Sequence, residues 1–207
     1  MEHTITMNNT YEKQVLKLLK QKLTVRSCDL QTIGVPRVVL TRMVQSGALE
    51  RVARGLYRKP NTFLSEKETM VDVALKSPRA VFCLLTALQF HELTTQLPRE
   101  IWIAMPQGSR TPRMDYPPIK LVRFSGKTYS EGIQTVVCDR VAIKIYNPAK
   151  TVVDCFKFRN KIGLDVALEA LKDVLRKKKA TRDELYYFAK IERVKKIILP
   201  YLEAMSS

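Results

Sequence analysis

Apolar residues recur at helical spacing from Tyr11 to Lys22, with Val15, Leu18 and Leu19 on one side and Lys13, Lys17 and Lys20 between them. That spacing predicts an amphipathic helix. Ser27 can cap a second, short helix through Asp29, Leu30 and Ile33. Gly34 ends it, because glycine accepts the left-handed backbone that a tight exit needs. Pro36 suits the first turn of a third helix, where its missing N–H costs nothing. This helix runs to about Ser46 and stops at Gly47. Leu40, Met43 and Val44 share its inward face, while Arg37, Thr41, Arg42 and Gln45 fall elsewhere on it. Two short runs, Ala48–Ala53 and Leu56–Lys59, flank Arg54-Gly55 and read as a hairpin. Three helices and then a hairpin, in that order, is the layout of a winged helix-turn-helix.

Beyond Lys59-Pro60-Asn61, a short boundary, Ser65-Glu66-Lys67-Glu68 is a capping-box pattern opening a helix to about Lys76. Ala80–His91, apolar at Val81, Leu84, Leu85 and Leu88, reads as a buried helix, with His91 as a terminal cap or core-edge residue. The period then changes. Strands are predicted at Ile101–Met105, Ile119–Phe124, Gly132–Cys138 and Val141–Tyr146, the last alternating Val141, Ile143 and Ile145 with Ala142, Lys144 and Tyr146. Residues 107–118 form a loop rich in proline and glycine. With no helices between these strands, the sheet should be mainly antiparallel. Asn147-Pro148 starts a helix buried through Ala149, Val152, Val153 and Phe156. Gly163–Arg176 is a second, Thr181-Arg182-Asp183-Glu184 caps a third, and Val194–Leu202, disturbed by Pro200, is the last. The class is α+β. A winged helix-turn-helix fills residues 1–60, and a mixed α/β domain fills 61–207, its mainly antiparallel sheet flanked by helices.

Charge turns this architecture towards a polyanion. The 207 residues hold 36 Lys+Arg against 20 Asp+Glu, a formal net charge of +16, and the isoelectric point is near 9.8. With 45% hydrophobic residues the chain can pack a core, so it is no disordered basic tail. Residues 1–60 carry eleven basic side chains against four acidic, and 61–207 carry 25 against 16. Arg37, Thr41, Arg42 and Gln45 on the third helix, with Arg51, Arg54, Arg58 and Lys59 on the hairpin, are the candidate DNA contacts. Arginine can grip a guanine edge through two hydrogen bonds. Basic residues on a wing hold phosphate or enter the minor groove. Solvated arginines on a protein-binding module are the alternative.

Nothing in the sequence is long and apolar enough to span a bilayer. The polar first ten residues lack a signal-peptide core, so a cytoplasmic location without membrane association is expected. Cys28, Cys83, Cys138 and Cys155 form no paired motif and read as buried free thiols in a reducing compartment. Two histidines, His3 and His91, cannot complete a zinc site. No metal, cofactor or catalytic residue is expected.

The hairpin Leu49-Glu50-Arg51-Val52-Ala53-Arg54-Gly55-Leu56-Tyr57-Arg58, the segment Ser77–Gln96 and the run from Asn147-Pro148-Ala149-Lys150-Thr151 to Arg159 resemble the AbiEi family of antitoxins. These belong to type IV toxin–antitoxin and abortive-infection systems. The resemblance covers nearly the whole chain. It implies an N-terminal winged helix and a C-terminal antitoxin domain. It further implies repression of the protein's own promoter through inverted repeats, which two copies would occupy. It also implies neutralisation of a nucleotidyltransferase-type toxin, with or without direct contact. The alternatives are an antitoxin that works through protein contacts without reading DNA, and a stand-alone winged-helix regulator.

An enzyme reading fails on spacing. A metal-dependent nuclease strand needs an acid two residues before its lysine, and Val141-Ala142-Ile143-Lys144 offers Ala142 there. No glycine-rich phosphate loop or nucleophile elbow is present. Lys150, Lys157 and Arg159, and the run Arg176-Lys177-Lys178-Lys179, are candidate contacts to the toxin or to DNA backbone. Solvated helix faces with local pairing are the alternative.

Overall fold

A computed structural model describes residues 2–62 and 67–205, with side chains from Thr10 onward. Ser65 and Glu66 of the expected capping box lie outside the described residues. The chain divides into two units. One comprises Met1–Pro78, Arg113–Tyr116 and Val137–Ile143, and the other Arg79–Pro112, Pro117–Val136 and Lys144–Ser207.

In the first unit, α1 (Glu2–Lys22) leads to β1 (Thr24–Arg26), a 3₁₀ turn (Asp29–Ile33), α2 (Val38–Gln45), β2 (Glu50–Ala53), β3 (Leu56–Arg58) and α3 (Glu68–Lys76). The strands form an antiparallel sheet in the order β1-β3-β2. Val15 and Leu19 of α1, Leu30 of the 3₁₀ turn and Val39, Leu40 and Met43 of α2 bury a common apolar core with Val25 and Leu49. The i, i+3, i+4 spacing of Val39, Leu40 and Met43 puts one face of α2 into that core and leaves the other to solvent.

Two local expectations need correction. The second helix is a 3₁₀ turn entered at Cys28 without a side-chain cap, so Ser27 does not cap it. Asp29 organises the entry instead, accepting from the Arg26 backbone N–H at 2.9 Å and from its guanidinium at 2.8 Å. Burial alone would raise the Asp29 carboxyl, but Arg26 outweighs it and holds the group below the usual carboxylate range. Gly34 closes the turn in the left-handed conformation, φ 66°. Nor are all the thiols buried: Cys83 and Cys155 are, whereas Cys28 is exposed.

The second unit carries α4 (Leu84–Phe90), α5 (Lys127–Ser130), α6 (Pro148–Lys157), α7 (Arg159–Ile162), α8 (Leu164–Arg176), α9 (Arg182–Ile191) and α10 (Lys195–Ala204). A five-stranded sheet has the order β6-β5-β4-β8-β7, from β4 (Val81–Phe82), β5 (Ile101–Pro106), β6 (Ile119–Phe124), β7 (Ile133–Cys138) and β8 (Val141–Tyr146). The sheet is mixed rather than mainly antiparallel. β5 pairs antiparallel with β4, but β6 runs parallel to β5 and β8 parallel to β4. The reason is twofold. Residues 107–118 are long enough to carry the chain back and start β6 alongside β5. The central strand β4 lies inside the apolar run that reads as helix.

Helix α6 is buried along Ala149–Phe156 and packs against α4, α8, α9 and α10. The Asn147 side chain caps it, accepting from the Lys150 N–H at 2.8 Å. Thr181 and Glu184 form the expected capping box of α9. His91 closes α4, its Nε2 lying 2.7 Å from the Tyr146 carbonyl oxygen. Among the described residues, no helix is long and apolar enough to cross a membrane, and no group of three or more His, Cys, Asp or Glu could hold a metal ion.

Candidate nucleic-acid interface

The solvent face of α2 carries Val38, Thr41, Arg42 and Gln45, all exposed, with exposed Arg37 in the turn before it. Ser46 and Gly47 end the helix, Gly47 at φ 74°. The Leu49 N–H then donates to Met43 O at 3.0 Å and ties the start of the hairpin to the helix. A bulge between Arg51 and Ala53 shifts the register of β2 against β3, which bends and twists a strand locally.

The hairpin turn is fixed from two sides. Ser27 N–H donates to Gly55 O at 2.9 Å, and the Lys76 ammonium of α3 donates to Arg54 O. Gly55 sits at φ 85°, and a Cβ there would come within 3.2 Å of Ser27 Oγ. The turn therefore needs glycine both for its backbone and for the closeness of Ser27.

Between α2 and this hairpin lies an open groove of about 410 Å³, lined by Arg37, Val38, Thr41, Arg51, Arg54 and Tyr57 among others. Four of the expected contacts, Arg37, Thr41, Arg51 and Arg54, thus meet at one surface. Among the described residues the guanidiniums of Arg37, Arg51 and Arg54 have no carboxylate partner. Arg42 and Gln45 are exposed on the same helix outside the groove lining, and Lys59 is exposed just past β3. Helical spacing could have added Val38, three residues before Thr41. Ser27 and Tyr57 become legible only once the sheet is formed.

Arg58 is placed otherwise, and this corrects the expectation of a DNA contact. Its Nε lies 2.5 Å from Glu50 Oε1, it also pairs with Glu68, and its NH1 is 4.0 Å from Asp72 Oδ2. Only 16% of the side chain is exposed. Its Nε and NH1 are held by carboxylates of β2 and α3, so it clamps the hairpin to α3.

Burial pushes the Asp72 carboxyl up to about 6; Arg58 pulls it down, and Glu68 and Glu50 push it further up. Because the folded value lies above the ordinary one, the folded unit binds this proton more tightly. Asp72 therefore costs stability at neutral pH, and the cost disappears as pH falls through 6 towards 4. The carboxyl carbon of Asp72 should titrate near pH 6 by NMR. The first unit should gain about 1.4 kcal/mol between pH 7.5 and 5, and Asp72→Asn should remove that gain. A midpoint near 4, or an unchanged pH profile in the variant, would contradict this.

In the second unit the expected surface contacts separate. Lys150 is fully buried, so it does not face a toxin or DNA. Its ammonium lies 2.5 Å from Asp154 Oδ1 and 2.6 Å from Glu192 Oε1, and 4.5 Å from the ring centres of Phe124 and Tyr146. Lys157, one-third exposed, bonds Glu192 Oε2 at 2.6 Å. Two lysines and two carboxylates form a closed set. Burial raises the Asp154 carboxyl, against the pull of Lys150. Gly132 makes room for this arrangement, since a Cβ there would come within 2.9 Å of the Lys150 Cβ. Arg159 donates to Phe156 O at 2.9 Å. Arg176 and Lys177 pair with Asp173 at 2.8 Å, and Lys179 with Glu92 at 3.1 Å. Lys177, Lys178 and Lys179 follow the end of α8 as an exposed run.

Residues 13–60, which build α2, the hairpin and most of the core beneath them, match the family model described as transcriptional regulator, AbiEi antitoxin. That segment is therefore similar to AbiEi antitoxin regulators. The groove and its arginines lie wholly within the AbiEi segment, and the family is a regulatory one. The crystal structure of the RV2827C protein from Mycobacterium tuberculosis shares the fold, with a TM-score of 0.62 over 87% of this chain and 71% of that one. The sequences are 13% identical, so the likeness speaks for fold alone. No curated protein matches this chain.

Proposed function

We propose that the first unit is a winged helix-turn-helix that binds duplex DNA, with α2 in the major groove and the β2–β3 hairpin as its wing. One observation carries the reading. Arg37, Arg51 and Arg54 line a single groove beside Thr41, with no internal carboxylate partner among the described residues. The sheet order β1-β3-β2 and the helix that precedes the hairpin support it. Arg37 and Arg42, near base edges, set sequence preference. Arg51 and Arg54 on the hairpin hold phosphate, and Lys59 adds to the field.

The family supports the larger role: an antitoxin that represses its own operon from inverted repeats and counteracts a nucleotidyltransferase-type toxin. Two copies fit a symmetric operator because half-site symmetry mirrors paired domains. The exposed lysines after α8 are one part of the second unit that could meet a toxin or backbone phosphate. The chemistry is binding, in the cytoplasm, with no catalytic step.

The test is a mobility shift with the full chain and the DNA upstream of its own coding sequence. The reading expects a retarded complex at nanomolar protein that survives excess unrelated duplex. Binding no tighter than to unrelated DNA would overturn it.

A further inference from the structure

We infer that Val38 reads the 5-methyl group of a thymine, so that each half-site carries a thymine under the start of α2. This rests on the proposed DNA binding and deepens it. Val38 is the first residue of α2 and is 51% exposed. The other apolar residues of the helix, Val39, Leu40, Met43 and Val44, are buried or half-buried. Its exposed companions, Thr41, Arg42 and Gln45, are all polar. Val38 lines the same groove as Arg37, Thr41, Arg51 and Arg54.

Valine gains little for the fold at this position. Half its surface stays wet, and a β-branched side chain is a poorer helix former than alanine. A valine has neither donor nor acceptor, so it cannot read guanine, cytosine or adenine through their polar edges. The apolar group that the major groove presents is the thymine methyl. Residues near the N-terminus of a recognition helix are those that reach base edges. Arg37 beside Val38 supplies a guanidinium to a neighbouring base or phosphate and fixes how the methyl is approached.

The experiment uses the full chain and a duplex that it enriches from a randomised pool. Each thymine of that duplex is replaced in turn by deoxyuridine, which removes only the methyl. Wild-type protein should lose about fourfold in affinity at one thymine per half-site, the worth of one buried methyl-sized group. Val38→Ala should bind the unmodified duplex about threefold to tenfold more weakly and should be indifferent to deoxyuridine at that same thymine. Alanine favours helix, so the variant keeps its fold, and circular dichroism checks this. If no deoxyuridine weakens wild-type binding, or if Val38→Ala stays as sensitive as wild type, the inference is wrong while DNA binding stands. If the pool yields no enriched duplex, the DNA-binding reading itself falls, and this inference with it.

Discussion

Lys150→Met should destabilise the second unit by about 3–5 kcal/mol, a large share of what holds a domain together. Methionine keeps most of the volume but withdraws the charge that Asp154 and Glu192 share at 2.5 and 2.6 Å. Asp154 is left fully buried without its lysine, and its Oδ2 already lacks a hydrogen-bond partner. Glu192 keeps only Lys157. The cost comes from the orphaned charge, not from lost packing, and a second variant separates the two. Lys150→Met/Asp154→Leu removes the pair together and leaves Glu192 with Lys157, so it should recover at least half of the lost stability. Urea denaturation of the full chain followed by circular dichroism reads both variants. A single variant within about 1 kcal/mol of wild type, or a double variant weaker than the single, would contradict the buried network.

The second large effect is on DNA. Arg37→Ala, Arg51→Ala and Arg54→Ala combined should weaken operator binding at least about a hundredfold, since the first removes a contact worth about 1–3 kcal/mol at a base edge and the other two each remove a phosphate contact. The same changes should leave stability within about 0.5 kcal/mol, because surface substitutions away from buried networks cost little. Arg58→Ala should do the reverse. It leaves Glu50, Glu68 and Asp72 facing one another without their cation, so unfolding should come earlier while a direct DNA contact is not what is lost.

How much of this could be read from the residues depends on how local each signal is. The exposed face of α2 follows from its period alone, because Val39, Leu40 and Met43 bury one side and thereby define the other. Asn147 and Thr181 announced their helices through capping chemistry that acts within four residues. Strand β4 did not announce itself. It is two residues long, buried on both faces between β5 and β8, and so shows no alternation. Missing it hid the parallel pairing with β8 and made the sheet look antiparallel. Arg58 and Lys150 mislead for another reason. Each has a sequence context suited to a surface cation, and each is turned inward by carboxylates that only tertiary folding brings close: Glu68 and Asp72 from α3, and Glu192 from the end of α9. A charge seen along the chain says nothing about which opposite charge will share its burial. Arg37, Thr41, Arg51 and Arg54 kept their expected exposure, and among the described residues no carboxylate pairs with the three arginines.

The salt dependence of operator binding probes the central claim most directly. Phosphate contacts release counterions, so the slope of log affinity against log salt concentration counts them at about 0.9 each. For the full chain, the slope should be steep and should flatten by about 2 when Arg51 and Arg54 are both replaced by alanine. An unchanged slope and affinity in that variant would mean that the groove between α2 and the hairpin does not hold DNA.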